Sequence, residues 1–187
     1  MTAELDRLNK ETAALFPDKR LVFGCGNTGA LLMLIGEAPG ENEEKHGIPF
    51  VGKAGKNLDE LLALSGIRRE EIYITNAVKF RPTTTGKSGR NINRKPTNDE
   101  ISAFRPFLIR EIETVSPLIV ATLGNVPLEA VTGKSIKIGD AHGKIMEMSG
   151  FKLYPMYHPA SVIYNPALKQ IYINDVCRLG ELIKQYD

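Results

Sequence analysis

The 187-residue chain is predicted to adopt an α/β fold, a three-layer α/β/α sandwich with a central four-stranded, mainly parallel sheet. Three observations predict it. Four apolar runs have strand length and end in turn residues, segments with helical apolar spacing lie between them, and strands that alternate with helices pair in parallel through right-handed crossovers. No repeat or linker breaks the alternation, so residues 1–187 are expected to form a single domain.

The elements follow in order. Leu5, Leu8, Thr12 and Leu15 recur at helical spacing and predict an N-terminal helix. Leu31 to Ile35 is the first strand and runs into GEAPGENEEKHGIPFVGKAG, Gly36 to Gly55. Leu58, Leu61 and Leu62 before Gly66 predict the next helix, Lys56 to Ser65, and Ile72 to Val78 the second strand. The segment Arg81 to Asn98, RPTTTGKSGRNINRKPTN, reads as one long irregular loop. Thr97-Asn98-Asp99-Glu100 is a capping box that opens a helix marked by Ile101, Phe104, Leu108, Ile112 and Val115, with Pro106 expected to kink it. Leu118 to Leu123 and Lys152 to Tyr157 are the last two strands, and Val176, Leu179, Leu182 and Ile183 mark a C-terminal helix.

Composition narrows the class. Hydrophobic content of 42% and charged content of 25% are those of an ordinary soluble protein, and no window approaches the ~18 consecutive apolar residues of a membrane span. The start, MTAELDRLNK, has no secretory apolar region. Cys25 and Cys177 stand far apart, which fits neither a disulfide framework nor a cysteine-ligated metal site. A cytoplasmic monomer is expected. The net charge of +2 is too small to indicate nucleic acid by itself. Its distribution is uneven: Lys79, Arg81, Lys87, Arg90, Arg94 and Lys95 fall between positions 79 and 98, where there is no acidic residue. Such a stretch is either a solvated loop or a phosphate-contacting one.

Gly47-x-x-x-x-Gly52-Lys53 is most of a nucleotide-binding P-loop. The position that would bind magnesium through a hydroxyl is Ala54, and the residues ahead of Gly47 form a polar segment carrying Glu41, Glu43 and Glu44 rather than a strand. Those carboxylates would repel phosphate. The stretch is therefore read as a turn leading into a helix.

Ligands of open parallel sheets bind beyond the carboxyl ends of the strands, where loops from several strands meet. The first strand is followed by Glu37, Ala38, Glu43 and Phe50; the second ends at Asn76; the fourth is followed by His158-Pro159-Ala160-Ser161. Singly, Phe50 reads as core, Asn76 as a turn cap, His158 as a loop-bonded ring and Glu43 as a solvated charge. Together, an aromatic face, an amide, an imidazole and a carboxylate suit recognition of a planar base.

GEAPGENEEKHGIPFVGKAG, IYITNAVKFRP and YHPASVIYNP together resemble the uracil-DNA glycosylase superfamily, specifically its class-four branch. The resemblance runs from about Phe23 to the C-terminus in motif order. It implies a monofunctional hydrolase that excises uracil from single- or double-stranded DNA, by chemistry that requires no metal. Ala38 stands where other branches place a catalytic Asp, so the carboxylate is expected from Glu43, with Glu37 beside it. Phe50 would stack on the flipped base, Asn76 would read its edge, and His158 would lie near O2. Ala160 to Pro166 matches the segment that enters the minor groove, with Ser161 at its start and Val162 or Ile163 as the apolar wedge. Lys87, Arg90, Arg94 and Lys95 would contact DNA.

The departures from that pattern are specific. The class-four branch usually carries four cysteines on an iron–sulfur cluster; here Asn9, Thr12, Phe80 and Phe104 stand there, so no cluster is expected and an apolar plug is expected instead. The loop Gly86 to Pro96 resembles that of a branch trapped covalently on DNA through a His; Asn93 takes that place, and an amide is no such nucleophile. Two other readings stay open: the same scaffold acting on another deaminated base such as hypoxanthine, or a non-catalytic binder of damaged DNA.

Overall fold

In the computed structural model, residues 2–186 are described, with the Ile163 side chain outside the described residues. Helix α1 (Ala3–Leu15) precedes strands β1 (Cys25–Gly26) and β2 (Leu32–Gly36), the short helix α2 (Glu41–His46), α3 (Lys53–Ser65) and β3 (Tyr73–Asn76). Then come β4 (Thr83–Thr85), β5 (Asn91–Asn93), α4 (Asn98–Val115), β6 (Ile119–Leu123), α5 (Asn125–Thr132), α6 (Ile138–Ala141), β7 (Met146–Glu147), β8 (Lys152–Met156), α7 (Pro159–Tyr164) and α8 (Lys169–Ile183).

Among the described residues the main sheet has six strands in the order β1-β3-β2-β6-β8-β7. The four predicted strands are its parallel centre, and β1 and β7 add antiparallel edges of two residues each. Chain order reverses at β2, which lies between β3 and β6. Its carboxyl end therefore opens a crevice where connections leave in opposite directions.

Period-2 alternation builds both outer layers. Leu32 and Leu34 of β2 pack with Leu58, Leu62, Val176 and Leu179, so α3 and α8 cover one face. Met33 and Ile35 pack with Leu5, Phe104, Leu108 and Ile112, so α1 and α4 cover the other. Both sides of each central strand are buried, which is why these strands read as continuous apolar runs. Each fully buried Leu or Phe contributes about 1.5–3 kcal/mol of transfer free energy.

Pro106 lies inside α4, which runs unbroken from Asn98 to Val115. Ser102, whose carbonyl loses its helical partner to the proline ring, is exposed, so water can serve that carbonyl. The segment Arg81 to Asn98 is not irregular throughout: β4 and β5 pair as an antiparallel ribbon, Thr83 opposite Asn93 and Thr85 opposite Asn91.

Where the resemblance implies cluster cysteines, the residues do not suit a metal. Phe16, after α1, stacks on Phe104 at 4.2 Å and 17°. Phe80 lies 5.8 Å from Phe104, with the Lys19 ammonium 4.8 Å above its ring. Thr12 is buried and donates to the Leu8 carbonyl at 2.8 Å. Rings and a satisfied hydroxyl join α1, the segment after β3 and α4.

Candidate active site

The glycine stretch after β2 folds as two helix termini, not as a phosphate cradle. Gly47 ends α2 in the left-handed region at φ 70°, where a side chain would be strained, and Gly52 caps α3. Lys53 is thus the first residue of a helix.

Glu43 fixes this stretch. Its Oε2 accepts from the Gly40 amide at 3.1 Å and its Oε1 from the Gly52 amide at 2.7 Å, so one carboxylate ties the start of α2 to the start of α3. Each oxygen retains a further lone pair.

Phe50 lies between these points and is buried, with φ 56°, a strained conformation for a bulky residue. The strain is held from outside: Arg69 Nη2 donates to the carbonyls of Pro49 and Phe50 at 3.0 and 3.1 Å. The absence of a side chain at Gly36 makes room for the ring. A Cβ there would meet Phe50 Cζ at 2.5 Å and Asn76 Oδ1 at 2.4 Å.

Asn76 ends β3 opposite Gly36. Its residue is 3% exposed, and its side-chain amide has no protein partner among the described residues while lining a cavity of about 370 Å³. A buried amide without a protein partner is costly unless a ligand or water completes it.

His158 caps α7, and its Nδ1 accepts from the Ala160 amide at 3.1 Å. Desolvation pushes its pKa down to about 4, so the ring is neutral near pH 7 and carries its proton on Nε2. That N–H is left to donate into the cavity, which His158 lines with Ala38, Glu43, Phe50, Asn76 and Asn93.

A second chamber of about 380 Å³ is lined by Glu37, Arg94 and Lys95 and shares Ala38, Asn93, His158, Ala160 and Tyr164 with the first, so the two form one cleft. Burial raises the Glu37 pKa, with the charge of Lys95 opposing. Asn93 Oδ1 accepts from Arg81 Nε at 2.6 Å, and the Arg81 guanidinium lies 3.6 Å from Glu41 and 3.4 Å from Glu44.

The basic residues divide. Lys87 and Arg90 are exposed at the tip of the β4–β5 ribbon, and Lys95 is exposed at its base. Arg94 instead binds both oxygens of Glu100 at 2.6 and 2.7 Å, clasping the capping box of α4. Lys79 is buried against Glu111 and unavailable to phosphate. Beyond His158, Ser161 is half-buried and Val162 is half-buried against the edge of the core, while the Ile163 side chain is outside the described residues. Tyr164, which the sequence reading passed over, is 86% exposed at the cleft mouth. Its only signal was its place directly before Asn165-Pro166.

The family described as the Uracil DNA glycosylase superfamily matches residues 23–177. The chain belongs to this superfamily. The type-4 uracil-DNA glycosylase of Saccharolobus solfataricus is 40% identical over 174 residues, covering 88% of this chain and 77% of that protein. That of Thermotoga maritima is 38% identical over 186 residues, covering 96% and 93%. The crystal structure of SMUG2 from Pedobacter heparinus superposes with a TM-score of 0.62 at 15% identity, over 98% of this chain and 86% of that one, which shows a common fold. No helix among the described residues of this uracil-DNA glycosylase superfamily member is long and apolar enough to cross a membrane, and no group of three or more His, Cys, Asp or Glu among them could hold a metal ion.

Proposed function

We propose that this member of the superfamily is a monofunctional glycosylase that excises uracil from single- or double-stranded DNA, acting as a monomer. The observation that carries the reading is the buried Asn76 amide, without a protein partner among the described residues and facing a cavity beside the Phe50 ring. Uracil presents an acceptor at O4 and a donor at N3–H, which pair with the N–H₂ and the oxygen of one carboxamide. Cytosine presents the reverse and would leave buried groups unpaired.

In the reaction the C1′–N1 bond breaks and its electron pair leaves on the uracil ring. Water adds to C1′ and its released proton ends on the departing uracil anion, giving an abasic deoxyribose and free uracil. Positive charge develops on the sugar and negative charge on the base oxygen. The neutral His158 donates through Nε2–H toward that oxygen. Glu43, held by two amides, sets a fixed negative charge on the sugar side and uses a remaining lone pair to orient the water. Glu37 faces the same cleft as a second carboxylate, and Ala38 leaves room for the base. Lys87, Arg90 and Lys95 contact phosphates, while Ser161 and the α7 segment carrying Val162, Ile163 and Tyr164 approach the stack beside the extruded nucleotide.

The test is incubation with an oligonucleotide bearing one uracil, then alkaline cleavage and a denaturing gel. Strand scission at the uracil is expected. Scission only at hypoxanthine would reassign the base, and tight binding without scission would replace the enzyme with a binder.

A further inference from the structure

Directly behind Asn76, outside the cavity, lies a buried charged network. The side chains of Lys79 and Glu111 are 3% and 2% exposed, and Lys79 Nζ is 2.5 Å from Glu111 Oε2. The same ammonium donates to Thr75 Oγ1 at 2.6 Å and to the backbone carbonyl of Asn76 at 2.8 Å, so each of its three N–H groups has an acceptor. Glu111, from the C-terminal third of α4, accepts from Thr75 Oγ1 at 3.2 Å and, on its other oxygen, from the Tyr73 hydroxyl at 3.0 Å. Gly24 closes the network from above: a Cβ there would lie 2.5 Å from both Glu111 Oε1 and the Tyr73 hydroxyl.

Stability alone does not account for this arrangement. Desolvating two charges cancels most or all of their attraction, and apolar residues of similar volume are often as stable or more so. What a fully bonded network adds is a single geometry. Here that geometry is delivered to one peptide. The amide of Ala77, just after Asn76, donates to the Gly36 carbonyl at 2.8 Å, while the carbonyl of Asn76 is gripped by Lys79. Both polar ends of the peptide that follows the Asn76 side chain are thereby fixed. None of Tyr73, Thr75, Lys79 and Glu111 borders the cavity.

We propose that Lys79 and Glu111 are positioning residues that hold the Asn76 carboxamide in register with the base edge, and so set base discrimination from outside the pocket. The proposal rests on the base-reading role given to Asn76 above.

The test is a double-mutant comparison on the full chain. Single-turnover excision, KM and the uracil-to-cytosine preference are measured for wild type, Asn76→Ala, the pair Lys79→Met with Glu111→Leu, and all three together; Glu111→Gln, alone and with Asn76→Ala, repeats the comparison at unchanged size. The apolar pair is expected to melt near the wild-type temperature, lose about tenfold or more in rate and lose base preference, and to make Asn76→Ala nearly silent, as coupled residues do. A folded pair variant with wild-type rate and preference, or one in which Asn76→Ala keeps its full penalty, overturns the proposal and leaves the glycosylase reading standing. If the apolar pair does not fold, Glu111→Gln decides by the same criterion. An Asn76→Ala variant with wild-type rate and preference overturns both.

Discussion

The rings of Phe50 and His158 lie 6.2 Å apart, centroid to centroid, with 29° between their planes. A planar base between two rings needs about 7 Å, twice the optimal carbon–carbon separation. The two rings are therefore not a sandwich. On the proposed function, the base is expected to take the Phe50 face and to meet His158 with its edge. Phe50→Leu, which keeps an apolar side chain in the strained site, is expected to weaken uracil-DNA binding about tenfold or more, in the range of one lost base stack. Titration against a non-cleavable uracil analogue checks this, and unchanged affinity would remove Phe50 from the contact.

Gly36→Ala is expected to abolish excision while α-helical content stays at the wild-type level. The added methyl would lie 2.4 Å from Asn76 Oδ1 and 2.5 Å from Phe50 Cζ, so both groups proposed to contact the base must move. Circular dichroism alongside a gel assay separates the two effects.

The pH profile follows from His158. Its pKa falls from 6.5 to about 4 because burial disfavours the charged ring. Excision is expected to stay level from pH 8 to about 5 and to fall below that with a midpoint near 4. Folding follows the same sign: the contribution of this ring is fully present above 6.5 and is lost as pH falls toward 4, because the unfolded chain binds that proton first. An NMR titration of the His158 ring reads the value directly, and a midpoint near 6.5 would contradict the buried neutral ring.

Substitutions in the basic segment should separate by location. Lys87→Ser with Arg90→Ser, at the exposed ribbon tip, is expected to weaken DNA binding and to flatten its salt dependence by about 0.9 log unit per lost duplex phosphate contact. Arg94→Ala is expected to lower thermal stability first, because it unclasps Glu100 at the start of α4. Arg94 holds the Glu100 pKa down to about 2 from 4.5, so that pair stabilises the fold above about pH 4.5 and is lost as pH falls through 2. Fluorescence anisotropy at several salt concentrations and a melting curve against pH distinguish the two classes.

Glu43→Gln and Glu43→Ala should differ in kind. The amide oxygen of Gln can still accept from one of the Gly40 and Gly52 amides, so the loop is partly kept while the charge proposed to face the sugar is lost; rate is expected to fall with little change in KM. Ala removes charge and tether together, and both parameters suffer. Equal kcat and KM in the two variants would refute the tether.

The four central strands were legible in the sequence because both faces of each are buried. Helices α3, α4 and α8 were legible from their spacing and caps. The two-residue edges β1 and β7 were not, since so short a segment has no period. Nor was α2, whose six residues bury no side chain; it is a helix because the carboxylate of Glu43 and the left-handed Gly47 define its ends. In the site, motif residues identified Phe50, Asn76 and His158 as neighbours. The fates of Lys79 and Arg94 were hidden, because a cation in a basic stretch reads as solvated until its carboxylate arrives from another element, here Glu111 and Glu100 of α4. Tyr164 was hidden for the opposite reason: nothing local marks an aromatic side chain that the fold leaves uncovered.

The ring cluster of Phe16, Phe80 and Phe104 also bears on handling. Phenyl groups are neither stripped by chelators nor corroded by oxygen. The joint between the N-terminal helix and the rest of the molecule should therefore survive EDTA and aerobic purification unaltered, and recombinant yield should be indifferent to how much iron the growth medium provides.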